Sequence, residues 1–120
     1  GDVLVHSLID AILGAINACD IGAHFPDDDV QYKNANSLDL LKNVNKLMSS
    51  KGYFLINMDA TIILEKPKLS KYINKMKENI AETLNCSTDI LSIKATTSEG
   101  IGFVGRQEGI ACLCSILLDK

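Results

Sequence analysis

The segment over residues 3–18 predicts a helix that is apolar on almost every side, and no other feature constrains the fold as much. A helix without a wide polar face belongs in the interior of a domain. Asp2 is a candidate N-cap, and the helix is expected to end near Cys19 and Asp20. Its apolar side chains are Val3, Leu4, Val5, Leu8, Ile9, Ile12, Leu13 and Ile16. The other elements are therefore expected to pack around it.

A narrow polar seam interrupts this helix. His6 and Asp10 are four residues apart, and Gly14 and Asn17 continue the same side. Imidazole is the commonest metal ligand, and a carboxylate one turn away can orient it. A buried histidine that is simply hydrogen-bonded is the other interpretation. Both predict a partner for the seam, because burying an unpaired polar group costs roughly 2–7 kcal/mol.

Composition limits the class of protein. The chain has 120 residues, of which 47% are hydrophobic and 22% charged, with a net charge of -3. These values indicate one globular domain over residues 1–120 and argue against nucleic-acid binding through a basic surface. No apolar run approaches the ~20 residues of a membrane span. Four cysteines are too few for a disulfide scaffold, so we expect buried, reduced thiols.

Periodicity predicts two further helices and three strands. A second helix runs from an Asn36/Ser37 cap to about Ser50, and a third covers residues 71–84. Strands are predicted at residues 53–64 and 88–95 and within residues 105–118. This order of elements predicts an α+β fold, with a mixed β-sheet and helices packed on one face.

Two predicted loops carry charged groups suited to a ligand. Residues 20–29 hold four aspartates around one large apolar side chain, Phe25. Such carboxylates accept hydrogen bonds from sugar hydroxyls or bind a hard cation, although a solvated turn fits as well. Lys66, Lys68 and Ser70 precede the third helix, where lysines and free amides suit a phosphate. Solvated lysines are the alternative there.

A third loop joins the last two strands. Thr96, Thr97 and Ser98 could cradle phosphate oxygens, and Glu99 could hold the Mg²⁺ that bridges them. The glycines that follow are Gly100, Gly102, Gly105 and Gly109. The spacing is not that of a P-loop, and a glycine-rich connection remains the alternative.

Four motifs occur in this order along the chain: DVLVHSLIDAILGA, DIGAHFPDDD, KPKL and KATTSEGIGFVGRQEGIA. Together they closely resemble the 2-C-methyl-D-erythritol 2,4-cyclodiphosphate synthase family. The resemblance implies a homotrimer around a central channel, with active sites at the subunit junctions. It also implies a metal-dependent phosphorus-oxygen lyase of non-mevalonate isoprenoid biosynthesis. The implied reaction turns 4-diphosphocytidyl-2-C-methyl-D-erythritol 2-phosphate into the 2,4-cyclodiphosphate and releases CMP.

The resemblance also implies roles for individual residues. His6 matches a zinc ligand, Glu99 a ligand of Mg²⁺ or Mn²⁺, and Thr97 a group that stabilises the transition state. Phe103 and Arg106 match ligand contacts near the central channel. The residues that match the methylerythritol site are Asp20, Ile21, Gly22, Phe25, Pro26, Asp27, Asp28 and Asp29. Those that match the cytidine and phosphate site are Leu64, Glu65, Lys66, Pro67, Lys68, Leu69, Ser70, Thr96, Thr97, Ser98 and Glu99.

One departure from the family pattern affects the expected activity. The family begins with a strand that carries an Asp-x-His pair of zinc ligands and a following His-Ser segment, which these 120 residues do not contain. That segment either precedes this sequence or is missing, and its loss implies little zinc affinity and no turnover. Two other functions stay open. One is a non-catalytic trimer that binds isoprenoid diphosphates through Phe103 and Arg106, and the other is a plain interaction domain.

The balance of basic residues hints at the source of the chain. Eleven lysines accompany a single arginine, and asparagine is plentiful. This bias is typical of an A/T-rich genome. It favours the plastid of a parasite (apicoplast-like) as the compartment, with a bacterial cytoplasm as the alternative.

Overall fold

The described part of the chain folds into helices on one face of a small sheet. The computed structural model describes residues 2–24 and 36–120. In chain order the elements are α1 (Asp2–Ala15), α2 (Ile21–His24), α3 (Ser37–Ser50), β1 (Phe54–Ile63), α4 (Ile73–Leu84), β2 (Leu91–Thr96), α5 (Gly102–Gly105) and β3 (Ala111–Asp119). Short 3-10 turns at Ser70–Tyr72 and Thr88–Ile90 precede α4 and β2.

The sheet is mixed, as the sequence predicts, and β1 lies at its centre. The strand order is β2-β1-β3, with β2 parallel and β3 antiparallel to β1. Side chains alternate across β1, so that Met58, Ala60 and Ile62 are buried while Asp59 is exposed. The buried face lies against the helices, and the other face is open in this single chain.

Helix α1 is the centre of the core, as its apolar surface predicts. Leu4, Leu8, Ile9, Ile12 and Leu13 are completely inaccessible to solvent. The helix packs against β3 and α3, while α4 covers β2. A side-chain hydrogen bond adds to the apolar contact, because the Ser7 hydroxyl donates to the backbone carbonyl of Cys112 at 2.9 Å.

The end of α1 differs from the prediction. The helix stops at Ala15, three residues early, because Asn17 and Cys19 adopt left-handed backbone conformations, with φ of 54° and 71°. The Ala18 amide closes the end by donating to the Leu13 carbonyl at 2.9 Å. At the other end, the N-cap prediction is wrong, since Asp2 is itself helical.

The segment after α1 also departs from the predicted loop. Ile21–His24 forms one helical turn, and the Asp20 carboxylate accepts a hydrogen bond from the Ala23 amide at 3.0 Å. A short polar side chain that caps the amides after it is enough to start such a turn.

The other boundaries agree with the sequence to within a few residues. Asn36 caps α3 as predicted, since its side chain accepts from the Asp39 amide at 2.9 Å. The second predicted strand begins three residues late, at Leu91. The Ser87 hydroxyl accepts from the Asp89 amide and so favours a 3-10 turn before the strand.

Two other expectations concern burial. Asp10 is exposed and His6 half-buried, so the polar seam is not enclosed in this chain as the prediction assumed. All four cysteines are free thiols, but Cys19 is exposed rather than buried. Among the described residues, no helix has the length and apolar character needed to cross a membrane.

Candidate active site

The parallel pairing of β1 and β2 brings two predicted loops together. Ile63 pairs with Thr96 at the carboxyl ends of both strands, and the Leu64 amide donates to the Thr96 carbonyl at 2.9 Å. Because parallel strands end at the same edge, the loops that follow them leave side by side. An open cleft of about 270 Å³ lies between these loops. Its lining residues are Leu64, Glu65, Pro67, Lys68, Leu69, Ser70, Ala95, Thr96 and Thr97.

The first wall of the cleft combines an apolar floor with positive charge. Leu64 is buried and Leu69 half-buried against the core, which anchors both ends of the loop. Lys66 and Lys68 are exposed between them, and Ser70 begins the 3-10 turn that leads into α4. Flexible ammonium groups above a fixed backbone suit an anionic ligand that carries several phosphoryl oxygens.

The second wall is a tight turn after β2. Glu99 and Gly100 both adopt left-handed conformations, with φ of 57° and 76°. A non-glycine residue in this region costs about 1–2 kcal/mol, so surrounding contacts must hold Glu99 there. The Thr97 hydroxyl oxygen accepts a hydrogen bond from the Glu99 amide at 3.2 Å. The hydrogen of that hydroxyl is therefore directed elsewhere.

Glu65 joins the two walls. Its Oε1 atom accepts hydrogen bonds from the backbone amides of Ser98 and Gly100, both at 3.1 Å. The Ser98 hydroxyl lies 2.9 Å from the same oxygen and 2.8 Å from the Ile101 carbonyl oxygen. Its single hydrogen is shared between these two acceptors. The amide of Gly100, followed by the hydroxyl and amide of Ser98, holds the pKa of Glu65 below its usual range.

This arrangement changes one interpretation of the sequence. The sequence predicts that Ser98 offers hydroxyl and amide groups to a phosphate, and the family resemblance implies that Glu65 belongs to the substrate site. In the structure these groups bind each other across 33 positions of sequence. No local pattern predicts such a contact, because only the parallel pairing of β1 and β2 brings the two residues together.

Phe103 and Arg106 lie outside the cleft. Both are exposed, and Phe103 is carried by the one-turn helix α5. The Arg106 guanidinium forms an ion pair with Glu108, with 2.8 Å between Nε and Oε1. The structure therefore places Phe103 on α5 and Arg106 directly after it, and neither residue lines the cleft.

The other predicted site residues lie on α1 and around α2. Asp20 caps α2, Ile21 packs against the core, Gly22 is exposed, and the His24 ring contacts the Ala18 carbonyl oxygen. The residues assigned to the acidic loop lie outside the described part of the chain: Phe25, Pro26, Asp27, Asp28 and Asp29.

A zinc site is not assembled within residues 2–24 and 36–120. In these ranges no three His, Cys, Asp or Glu side chains are close enough to hold a metal ion together. His6 is thus a single candidate ligand among the described residues, and a zinc ion that takes three protein ligands would need two more. Glu99 is an exposed single carboxylate, which does fit Mg²⁺ bound jointly with substrate phosphates.

A cleft at the carboxyl edge of parallel strands, lined by Lys68 and by the hydroxyl-bearing residues Ser70, Thr96 and Thr97, defines an α+β protein with a candidate phosphate site. The family model of the YgbB family matches residues 1–119, and the chain belongs to this family. It is 57% identical over 110 residues to the 2-C-methyl-D-erythritol 2,4-cyclodiphosphate synthase of Alkaliphilus oremlandii, covering 92% of this chain and 70% of that protein. The protein of the same name from Clostridium kluyveri is 55% identical over 117 residues, covering 98% of this chain and 71% of the relative. The family resemblance of the sequence motifs is thereby confirmed.

Solved structures agree with this assignment. The bifunctional IspDF from Campylobacter jejuni superimposes with a TM-score of 0.93 at 47% identity, over 98% of this chain and 32% of that longer one. A CDP complex of IspF from Plasmodium falciparum gives a TM-score of 0.86 at 34% identity, covering 98% of this chain and 70% of that chain. The higher identity to bacterial relatives does not support the plastid prediction and favours its bacterial alternative.

Proposed function

We propose that this chain converts 4-diphosphocytidyl-2-C-methyl-D-erythritol 2-phosphate into 2-C-methyl-D-erythritol 2,4-cyclodiphosphate and CMP, as a lyase of non-mevalonate isoprenoid biosynthesis. The observation that carries the proposal is the cleft in which the lysine loop meets the threonine turn. Its support is the membership of the YgbB family and the identity of 50–57% to synthases named for this product.

The reaction needs no covalent intermediate with the protein. An oxygen of the 2-phosphate attacks the β-phosphorus, and the bond from that phosphorus to the bridging oxygen of CMP breaks. The electron pair of the broken bond leaves with CMP. Phosphoryl transfer depends on positioning and on stabilising negative charge. Lys68, which lines the cleft, and the exposed Lys66 of the same loop offer that stabilisation. A Ser-His-Asp arrangement is therefore not required.

Thr97 is proposed as the group that stabilises the transition state. Its hydroxyl oxygen already accepts the Glu99 amide, so its own hydrogen is available to a phosphoryl oxygen. A donor fixed before the reaction strengthens its hydrogen bond as charge develops, without having to reorient.

Metal dependence is part of the proposal. Glu99 would hold Mg²⁺ or Mn²⁺ together with the diphosphate, and such an ion withdraws negative charge from the reacting phosphates. His6 would be one zinc ligand, with the others supplied from outside the described residues or by another subunit. Since the described residues do not gather a zinc site, no step of the reaction is assigned to zinc.

We also propose a homotrimer around a central channel, with active sites at the subunit junctions. The open face of the sheet supports an assembly, because it exposes large apolar side chains that a monomer seldom leaves uncovered. On that face Leu113 is 69% exposed and Leu117 56% exposed. The bacterial relatives support a bacterial cytoplasm as the compartment.

Nucleotide selectivity tests this function against its alternatives. The full-length protein is heated with CDP, ADP or farnesyl diphosphate, with and without Mg²⁺, and its melting temperature is followed. The proposal predicts a shift with CDP that exceeds the shift with ADP and that needs Glu99. Stabilisation by farnesyl diphosphate alone would instead support the isoprenoid-binding trimer, and no response to any ligand would support the plain interaction domain.

A further inference from the structure

Glu65 lines the candidate substrate cleft, but its carboxylate is hydrogen-bonded to backbone and hydroxyl groups of the protein. Its neighbours Lys66 and Lys68 are exposed, whereas Glu65 is half-buried and accepts three hydrogen bonds on one oxygen. A free carboxylate in the cleft would repel a diphosphate and partly cancel the attraction of the two lysines. The three hydrogen bonds to Glu65 disperse the negative charge of its carboxylate and so weaken this repulsion.

The turn that receives this carboxylate has the form of an anion-binding nest. Successive backbone amides around residues in left-handed conformations point into one concavity and favour an anion. Here the amides of Ser98 and Gly100 converge on Oε1 of Glu65 from both sides of Glu99. The concavity that could have held a substrate phosphate is thus filled by a side chain of the same protein.

We propose that Glu65 is a positioning residue that locks the turn bearing Thr97 and Glu99 against the lysine loop, and that it does not contact the substrate. The hydrogen bonds from Ser98 and Gly100 to Glu65, here called the clasp, hold Glu99 in its left-handed conformation. In that conformation the Glu99 amide donates to the Thr97 hydroxyl oxygen and the residue is exposed. This inference rests on the proposed function, since it assigns Thr97 and Glu99 to the reacting phosphates.

The test compares the full-length protein with E65A, E65Q and the control E82Q, which makes the same change at an exposed glutamate of α4. Amide hydrogen exchange at Ser98 and Gly100 is expected to accelerate about tenfold or more in E65A, because charge-assisted hydrogen bonds are lost. E65Q keeps a carbonyl acceptor and is expected to lie between E65A and the wild type. E82Q is expected to match the wild type.

Kinetics supply the second measurement. E65A is expected to lower kcat about tenfold while KM stays within about threefold, and E65Q to recover part of the loss. Unchanged exchange at Ser98 and Gly100 in E65A would overturn the proposal. A rise in KM with kcat intact would overturn it too, because it would mean that Glu65 binds the substrate directly. A wild-type protein that forms no CMP would count against the proposed function, while the exchange data would still decide the role of Glu65.

Discussion

Gly105 packs so closely against Gly100 that a Cβ atom on Gly105 would lie 2.1 Å from the carbonyl carbon of Gly100. Backbone hydrogen bonds hold the two in place, since the Ile101 amide donates to Ser98 and the Gly105 amide donates to Ile101. Helix α5 therefore packs directly against the turn at Gly100, whose amide donates to Glu65. This contact makes the glycine a steric requirement of the candidate site.

Substitution of this glycine should damage both stability and activity. Gly105→Ala places a methyl group where backbone atoms already are, and overpacking of this kind costs about 1–3 kcal/mol. Gly14→Ala is the matched control, because nothing lies within 4 Å of its Cβ position in α1. That change should raise the free energy of unfolding by about 0.5–1 kcal/mol. Urea denaturation measures the free energy of unfolding of both variants. A Gly105→Ala variant as stable as the wild type would contradict the packing argument.

The Thr97 hydroxyl is expected to act on the transition state rather than on nucleotide binding. Thr97→Val removes the donor at almost constant shape and should lower kcat by about 10²–10³-fold, with CDP affinity nearly unchanged. Thr97→Ser keeps the hydroxyl and should retain most of the activity. Steady-state kinetics and CDP titration separate the two effects. Loss of CDP affinity without loss of kcat would place the hydroxyl on the nucleotide instead.

The lowered pKa of Glu65 predicts how its contribution to stability depends on pH. A carboxylate whose pKa is lower in the folded chain stabilises the fold above its unfolded value, here 4.5, and loses that effect as the pH falls through the folded value. The difference in unfolding free energy between the wild type and E65Q should be constant from about pH 8 to about pH 6 and shrink below about pH 4. Chemical denaturation over this range measures it, and a difference that grew on acidification would be inconsistent with the clasp.

The open face of the sheet should be the site of self-association. Leu113→Asp places a charge among apolar side chains that a trimer would bury, so the trimer should dissociate. Lys75→Asp changes an exposed position on α4, on the other side of the molecule, and should leave the oligomer intact. Light scattering after gel filtration gives both masses. Survival of the trimer in Leu113→Asp would move the interface elsewhere.

Thiol reactivity should follow burial. Burial first, and then the nearby Cys112 and Asp59, raises the pKa of Cys114 to about 12, so almost no thiolate exists at neutral pH. Cys19 is exposed and should be alkylated first. Peptide mapping after timed iodoacetamide labelling gives the order, with urea-unfolded protein as the control in which the rates converge. Equal labelling of Cys19 and Cys114 in the folded protein would contradict the burial.

The fold was largely predictable because its strongest signals are local. The Asn36 cap and the one-sided apolar stripe of α3 set that helix nearly to the residue, and alternation along β1 placed the central strand. Where prediction failed, single side chains decided the outcome. Asp20 starts a helical turn in an expected loop, and Ser87 delays β2 with a 3-10 turn.

The candidate site was predictable only in part, for a physical reason. The lysine loop and the threonine turn each carry residue types that suit phosphate, so each could be found from its own segment. Their meeting depends on the parallel register of β1 and β2, which no short pattern encodes. The bond from Ser98 to Glu65 follows from that register, and so do the roles that we now give to both residues.

The central claim is the cyclisation itself, and ³¹P NMR of the reaction tests it most directly. The full-length protein is incubated with 4-diphosphocytidyl-2-C-methyl-D-erythritol 2-phosphate and Mg²⁺, with Thr97→Val as the control. We expect CMP and the 2,4-cyclodiphosphate in equal amounts, at a rate that Thr97→Val reduces. An unchanged substrate spectrum, or CMP accompanied by an open-chain phosphate, would contradict the assignment.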